Sequence, residues 1–165
     1  MADLGRAQSV ERGGGEGASD RVSLDFEGRL LRRRRLVTEN GGSLVVDLPE
    51  TTSLEDGDAL VLESGARVAV AAADEPLLQI TGPNLPRLAW HIGNRHTPCR
   101  IERDRLFIRN DHVLADMLRQ LGAEVTPLRA PFSPEGGAYG HGRTMGHDHG
   151  GDHGHGHNPH ATPHE

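Results

Sequence analysis

The stretch E75-PLLQITGPNLPRLAWHIGNRHTP-98 decides the fold, because the hydrophobic period of the chain changes inside it. "EPLLQIT" is a continuous apolar run of strand length, bounded by Gly82 and Pro83. Immediately after it, Leu85, Leu88, Ala89 and Ile92 recur at i, i+3, i+4 and i+7 behind Asn84, a good N-cap, with Pro86 in the first turn. That spacing predicts one amphipathic helix, stopped at Gly93. Gly93 suits the left-handed conformation that ends helices and Asn94 tolerates it next best, so the pair is expected to turn the chain and throw His96 off the helix axis, with Pro98 stiffening the exit.

Downstream, "PCRIE" and "RLFIR" flank Arg103-Asp104 as a tight hairpin. "NDHVLADMLRQLG" then places Leu114, Met117, Leu118 and Leu121 on one helical face, with Asn110 or Asp111 as cap and Gly122 as stop. "AEVTPLRA" is a last strand, which Pro127 confines to an edge. The order is βαββαβ, the ferredoxin-like arrangement of two helices on one face of an antiparallel sheet.

Upstream, from Arg21 to Ala73, the period is that of strands. "RVSLDFEG", "RLLRRRRLV", "GSLVVDLPE", "DALVLES" and "ARVAVAAA" are short runs separated by Glu39-Asn40-Gly41-Gly42, Glu55-Asp56-Gly57-Asp58 and Glu63-Ser64-Gly65. Five or six strands in so short a span suggest a small sandwich or open barrel. Arg32 to Arg35 cannot form a one-faced stripe in an extended strand, so the simplest reading is a solvated edge. The fold class expected is therefore α+β: a disordered extension over 1–18, a small all-β domain over 19–74, a ferredoxin-like βαββαβ domain over 75–135 and a flexible His-rich tail over 136–165. The two ends are assigned as disordered because the first is polar and Gly-rich and the last is dominated by Gly, His and Pro, both too poor in apolar groups to offset their ordering entropy. Two such small domains would each be marginal alone, which makes oligomerisation a natural source of buried surface.

A net charge of −6 gives no electrostatic reason to expect nucleic acid. The N-terminus lacks an apolar signal-peptide core and no apolar run reaches the roughly 20 residues of a membrane span, so a cytoplasmic location is expected, with no membrane partner. The single cysteine, Cys99, reads as a small packed residue, since soft thiolate sites usually pair cysteines.

Histidine carries the chemistry. Eight of the eleven lie after position 140: His141, His147, His149, His153, His155, His157, His160 and His164, spaced mainly by two with Gly or Asp between. Interspersed imidazoles of this density suit a borderline ion such as Ni2+, Zn2+ or Cu2+. In the folded part, His91 lies within the first helix, where a packed or solvated ring is the commoner role, and His112 opens the second. His96 is the candidate held on a turn. A lone histidine there often caps the terminal carbonyls, and one imidazole cannot complete a metal site, so further ligands must come from a second copy of His96 across a two-fold axis or from the tail. An enzyme is not expected: the chain has no H-E-x-x-H helix and no nucleophile elbow.

"HIGNRHTP" followed by "RNDHVLADMLRQLGAEV", then "PFSPEGGAYGHG" and a histidine tail, resembles the UreE family of urease accessory proteins, as does the upstream "DRVSLDFEGRLLRRRRL…DLP…LEDGDAL". The resemblance implies a β-rich domain similar to a chaperone peptide-binding module, and a nickel metallochaperone that delivers Ni2+ to apo-urease. It also implies a homodimer that places its two His96 residues together, and partnership with the urease apoprotein and its accessory proteins, including the GTPase. By the same resemblance His96 matches an interfacial nickel ligand and His112 a peripheral one; the histidine that some members carry two positions before the latter is Asn110 here. The rival reading is a storage or detoxification protein that buffers nickel or zinc through its tail.

Overall fold

A computed structural model describes residues 1–136. The described residues form a mixed α+β structure of ten strands and two helices in two sheets. The first sheet contains β1 (Asp3–Glu11), β2 (Asp20–Leu24), β3 (Leu30–Val37), β4 (Ser43–Ser53), β5 (Ala59–Leu62) and β6 (Arg67–Ala72), in the order β2-β6-β5-β1-β4-β3. The β1/β4 and β2/β6 pairs are parallel and the others antiparallel. Its core is aliphatic: Val22, Leu31, Leu36, Leu44, Val46, Leu48, Leu54, Leu60, Leu62, Val68 and Val70 pack together with Ala7.

β1 corrects the expectation of a disordered extension over 1–18. Its pattern hides it, because only Ala7 of its nine residues is fully buried and the rest alternate poorly. The strand is held instead by ladders on both sides, to β4 and β5, partners 39 to 55 positions away that no local pattern reveals. The Gly-rich turn that follows is anchored by Asp58, 2% exposed, whose carboxylate accepts from the Arg12 guanidinium (2.7 Å) and from the N–H groups of Gly13 (3.1 Å) and Glu55 (2.8 Å). Gly15 donates to the Gly57 carbonyl at 2.9 Å, and a Cβ there would sit 2.8 Å from that oxygen.

β3 is an edge strand, and Arg32 to Arg35 are all exposed on it, as expected. The second sheet comprises β7 (Asp74–Thr81), β8 (Arg100–Ile101), β9 (Leu106–Arg109) and β10 (Glu124–Pro131), wholly antiparallel in the order β10-β7-β9-β8. Pro127 lies on the edge strand β10, where its missing N–H costs least. α1 (Leu85–Asn94) and α2 (His112–Gln120) pack Leu88, Ile92, Leu114 and Leu118 against Leu78, Ile80, Leu106 and Ile108. The alternation along β7 puts Leu77 on the other face, where it meets Phe107, Phe132 and Phe26 from the turn between β2 and β3.

That cluster joins the two sheets. The Phe26 and Phe132 rings meet edge to face at 5.4 Å. The Glu75 carboxylate accepts from the Phe26 N–H at 2.8 Å, and Arg29, 3% exposed, donates to the Leu24 carbonyl at 3.0 Å and to the Phe132 carbonyl. Burial pushes the Arg29 pKa down, while the charges of Glu75, Asp56, Asp25 and Glu55 oppose that shift.

Candidate functional site

α1 begins at Asn84, whose side-chain oxygen accepts from the Arg87 N–H at 3.3 Å, and it continues one residue further than expected, to Asn94. Gly93 is therefore helical, and the reversal falls on His96, with φ +55°, the one non-glycine among the described residues at positive φ. This corrects the expectation that Gly93 makes the left-handed turn. With Arg95 as the cap, His96 occupies the position where the backbone must reverse, and its N–H donates to the Gly93 carbonyl at 3.0 Å, one half of the usual helix-closing pair. Histidine is among the residues that tolerate this conformation best after glycine.

The helix end does not need the His96 ring. Arg95 donates its guanidinium to the His91 carbonyl at 3.1 Å and its N–H to the Ile92 carbonyl at 3.1 Å. The imidazole of His96 is exposed and has no hydrogen-bond partner among the described residues. Capping, the commoner role for such a residue, is thus filled by its neighbour.

His96, Thr97 and Pro98 form one wall of a cleft of about 590 Å³. Arg109 ends β9, Asn110 and Asp111 form the β9–α2 connection and Leu114 lies in α2, while Glu75 and Pro76 come from β7 and Asp25 and Glu27 from the first sheet's β2–β3 turn. Arg109 spans the cleft wall, donating to Glu27 at 3.0 Å with its guanidinium 5.1 Å from the Phe26 ring centroid. Sequence reasoning missed Asp25, Glu27 and Arg109, since Glu27 and Arg109 meet across more than eighty positions and carry no local signal.

Asp111, not Asn110, caps α2, its carboxylate accepting from the N–H groups of Val113 (2.9 Å) and Leu114 (3.1 Å). Gly122 makes the expected left-handed stop at φ +89°. His112 is exposed at the first position of α2, next to the cleft residue Asp111. His91 is half-buried, its ring edge-on to Trp90 at 5.0 Å. Cys99 packs beside the helix core, and burial, with the nearby Glu135 charge second, pushes its thiol up to about 11.

Among the described residues, no three His, Cys, Asp or Glu side chains gather as a metal site. The tail candidates His141, His147, His149, His153, His155 and His157, with His160 and His164, lie outside the described residues. A complete coordination shell around His96 would need donors beyond those described in one chain.

Two family models cover nearly the whole chain: "UreE urease accessory protein, N-terminal domain" matches residues 4–73 and "UreE urease accessory protein, C-terminal domain" residues 75–160. Relatives named urease accessory protein UreE are similar over most of their length. That of Ruegeria pomeroyi is 56% identical over 148 residues, 89% of this chain and 99% of its own. That of Rhodobacter capsulatus is 59% identical over 150 residues, 90% and 96% respectively, and that of Paracoccus denitrificans 66% identical over 123 residues, 74% and 79%.

Proposed function

The chain belongs to the UreE family of urease accessory proteins, with a role in urease maturation, and from that premise we propose that it is a nickel metallochaperone: it captures Ni2+ and delivers it to apo-urease. Nickel is here the cargo. The observation that carries the reading is His96, an exposed, unbonded imidazole held on a left-handed turn that the helix end fixes from behind. A ligand so placed presents an ion in defined geometry yet leaves it open to ligand exchange. A second His96 in a homodimer, or tail histidines, would complete the shell, with His112 as a peripheral donor and Zn2+ or Cu2+ as competing ions.

Exposed apolar side chains support the dimer. Trp90 is 64% exposed on α1 and Val113 66% exposed on α2, on the helical layer that carries the His96 turn. The strand order β10-β7-β9-β8 with two helices on one face supports reading 75–135 as a ferredoxin-like metal-binding domain and 19–74, extended by β1, as a separate β-rich domain. The proposed recipients are apo-urease and its accessory proteins including the GTPase, in the cytoplasm; no described helix is long and apolar enough to cross a membrane.

The competing reading is a metal store, favoured by the eight histidines after position 140. A cell-free urease activation assay at limiting nickel separates the two. Deleting residues 141–165 is expected to lower capacity and slow loading without preventing activation, whereas His96→Ala keeps much of the capacity and loses activation. Equal activation by His96→Ala and the parent would leave only the store.

A further inference from the structure

Neither the cleft nor the histidines use the arginine run of β3. Pairing register puts Arg33 and Arg35 opposite Asp47 and Val45 of β4, and Arg6 of β1 pairs with Val45 from the other side, so these three guanidiniums share the outer face of the first sheet. Arg34 falls on the opposite side of the strand, across from Val46, and Arg32 donates to the Leu48 carbonyl where the β3/β4 register breaks. Arg33 and Arg6 both pair with one carboxylate, Asp47, at 2.8 and 3.3 Å. Arg32, Arg34 and Arg35 have no carboxylate partner among the described residues. Val37, at the end of the same strand, is 57% exposed. Strand order leaves one edge of β3 without a ladder neighbour.

Charge on an edge strand blunts aggregation. Here β3 carries four consecutive arginines, with Arg6 joining Arg33 and Arg35 on the outer face, and Asp47 is the one carboxylate that any of the five pairs with among the described residues, in a chain whose net charge is −6. We propose that the β3 edge, with Arg6 beside it, is a docking surface for an extended, carboxylate-rich segment of a partner protein. Arginine forks match carboxylates in paired hydrogen bonds, an open edge offers backbone groups to an extended chain, and Val37 supplies an apolar contact at one end. Nucleic acid fits less well: the aromatic residue of this sheet's unit, Phe26, is buried in the junction, so no ring is available on which bases could stack. The inference stands apart from the nickel reading, since it uses none of the same residues.

The test is fluorescence anisotropy with the full-length protein in chelator-treated buffer, so that metal cannot bridge the histidines. The probe is a labelled ten-residue peptide of alternating Glu and Val. Binding is expected at low salt, weakening steeply between about 20 and 200 mM salt as screening grows. The triple variant R32S/R34S/R35S should bind roughly tenfold more weakly, the scale of several modest exposed ion pairs lost together. The lysine triple R32K/R34K/R35K should retain most of the binding, and R103S/R119S/R129S, three exposed arginines of the other sheet's unit, all of it. Circular dichroism checks that the serine triple is folded; should it not be, the lysine triple against the peptide with Gln in place of Glu decides the same point. Undiminished binding by the folded serine triple, equal binding of the Gln peptide, no binding to the parent, or tighter binding of a ten-nucleotide single-stranded DNA would each overturn the proposal.

Discussion

His96 combines two properties that pull against each other in most turns. Its backbone sits where glycine is favoured, at φ +55°, while its ring is the only part of the residue with chemistry to offer. A side chain in this region costs about 1 kcal/mol relative to glycine, so a histidine there carries a small penalty that packing does not repay, since the residue is exposed. His96→Gly is expected to be at least as stable as the parent and about 1 kcal/mol more stable than His96→Ala, read from urea denaturation. Both should lose the tightest nickel site in protein lacking residues 141–165, read by isothermal titration. Equal stability of the glycine and alanine variants would show that the turn does not hold the left-handed conformation in solution. Unchanged nickel affinity would remove His96 from the site.

Elements are tied together by a few long-range polar contacts over small apolar clusters. Arg29 is the clearest instance, lying just before β3 and reaching the Phe132 carbonyl beyond β10, while Glu75 at the start of β7 reaches back to the Phe26 N–H. Removing a buried charged donor leaves the carbonyls of Leu24 and Phe132 without it and Glu75 without its counter-charge, so Arg29→Leu is expected to cost about 3 kcal/mol or more. Chemical denaturation followed by circular dichroism gives the value. A loss below about 1 kcal/mol would mean that the Phe26, Leu77, Phe107 and Phe132 cluster holds the junction without it. The same junction shapes one side of the cleft, because Phe26 lies between Asp25 and Glu27.

For the whole molecule, the proposed nickel site requires donors from a second chain or from the histidine-rich end. An indole 64% exposed on a helix next to His96 is a large apolar surface for a lone chain to leave in water. Trp90→Glu should therefore shift the proposed dimer to monomer at micromolar concentration, measured by light scattering; a mass unchanged from the parent would move the interface elsewhere. Acid should act on capacity. Imidazole must be neutral to ligate, and with histidine's ordinary pKa of about 6.5 the nickel bound per chain is expected to fall steeply between roughly pH 7 and 5. The sign follows from proton competition: as pH falls, protons occupy the nitrogens that would hold metal. An undiminished stoichiometry at pH 5, by equilibrium dialysis, would rule out the histidines as the reservoir.

The sequence by itself determined what local period, turn chemistry and composition can encode. The change of period within 75–98, the two helices with their hydrophobic faces, the strands from Arg21 onward, the edge positions of Pro127 and Arg32–Arg35, and the histidine-rich end are all written in neighbouring residues. Three features belonged to the tertiary structure alone. β1 is a strand because β4 and β5 flank it, although it lies in a stretch that reads as polar and Gly-rich. The left-handed position moved from Gly93 to His96 because the helix ran on to Asn94, a matter of register that residue preference does not fix. The cleft exists because Asp25 and Glu27 from one sheet face His96 and Arg109 from the other. For β1 and the cleft the deciding contacts join residues distant in sequence, and their free energy appears only once the chain has closed the loops that bring them together.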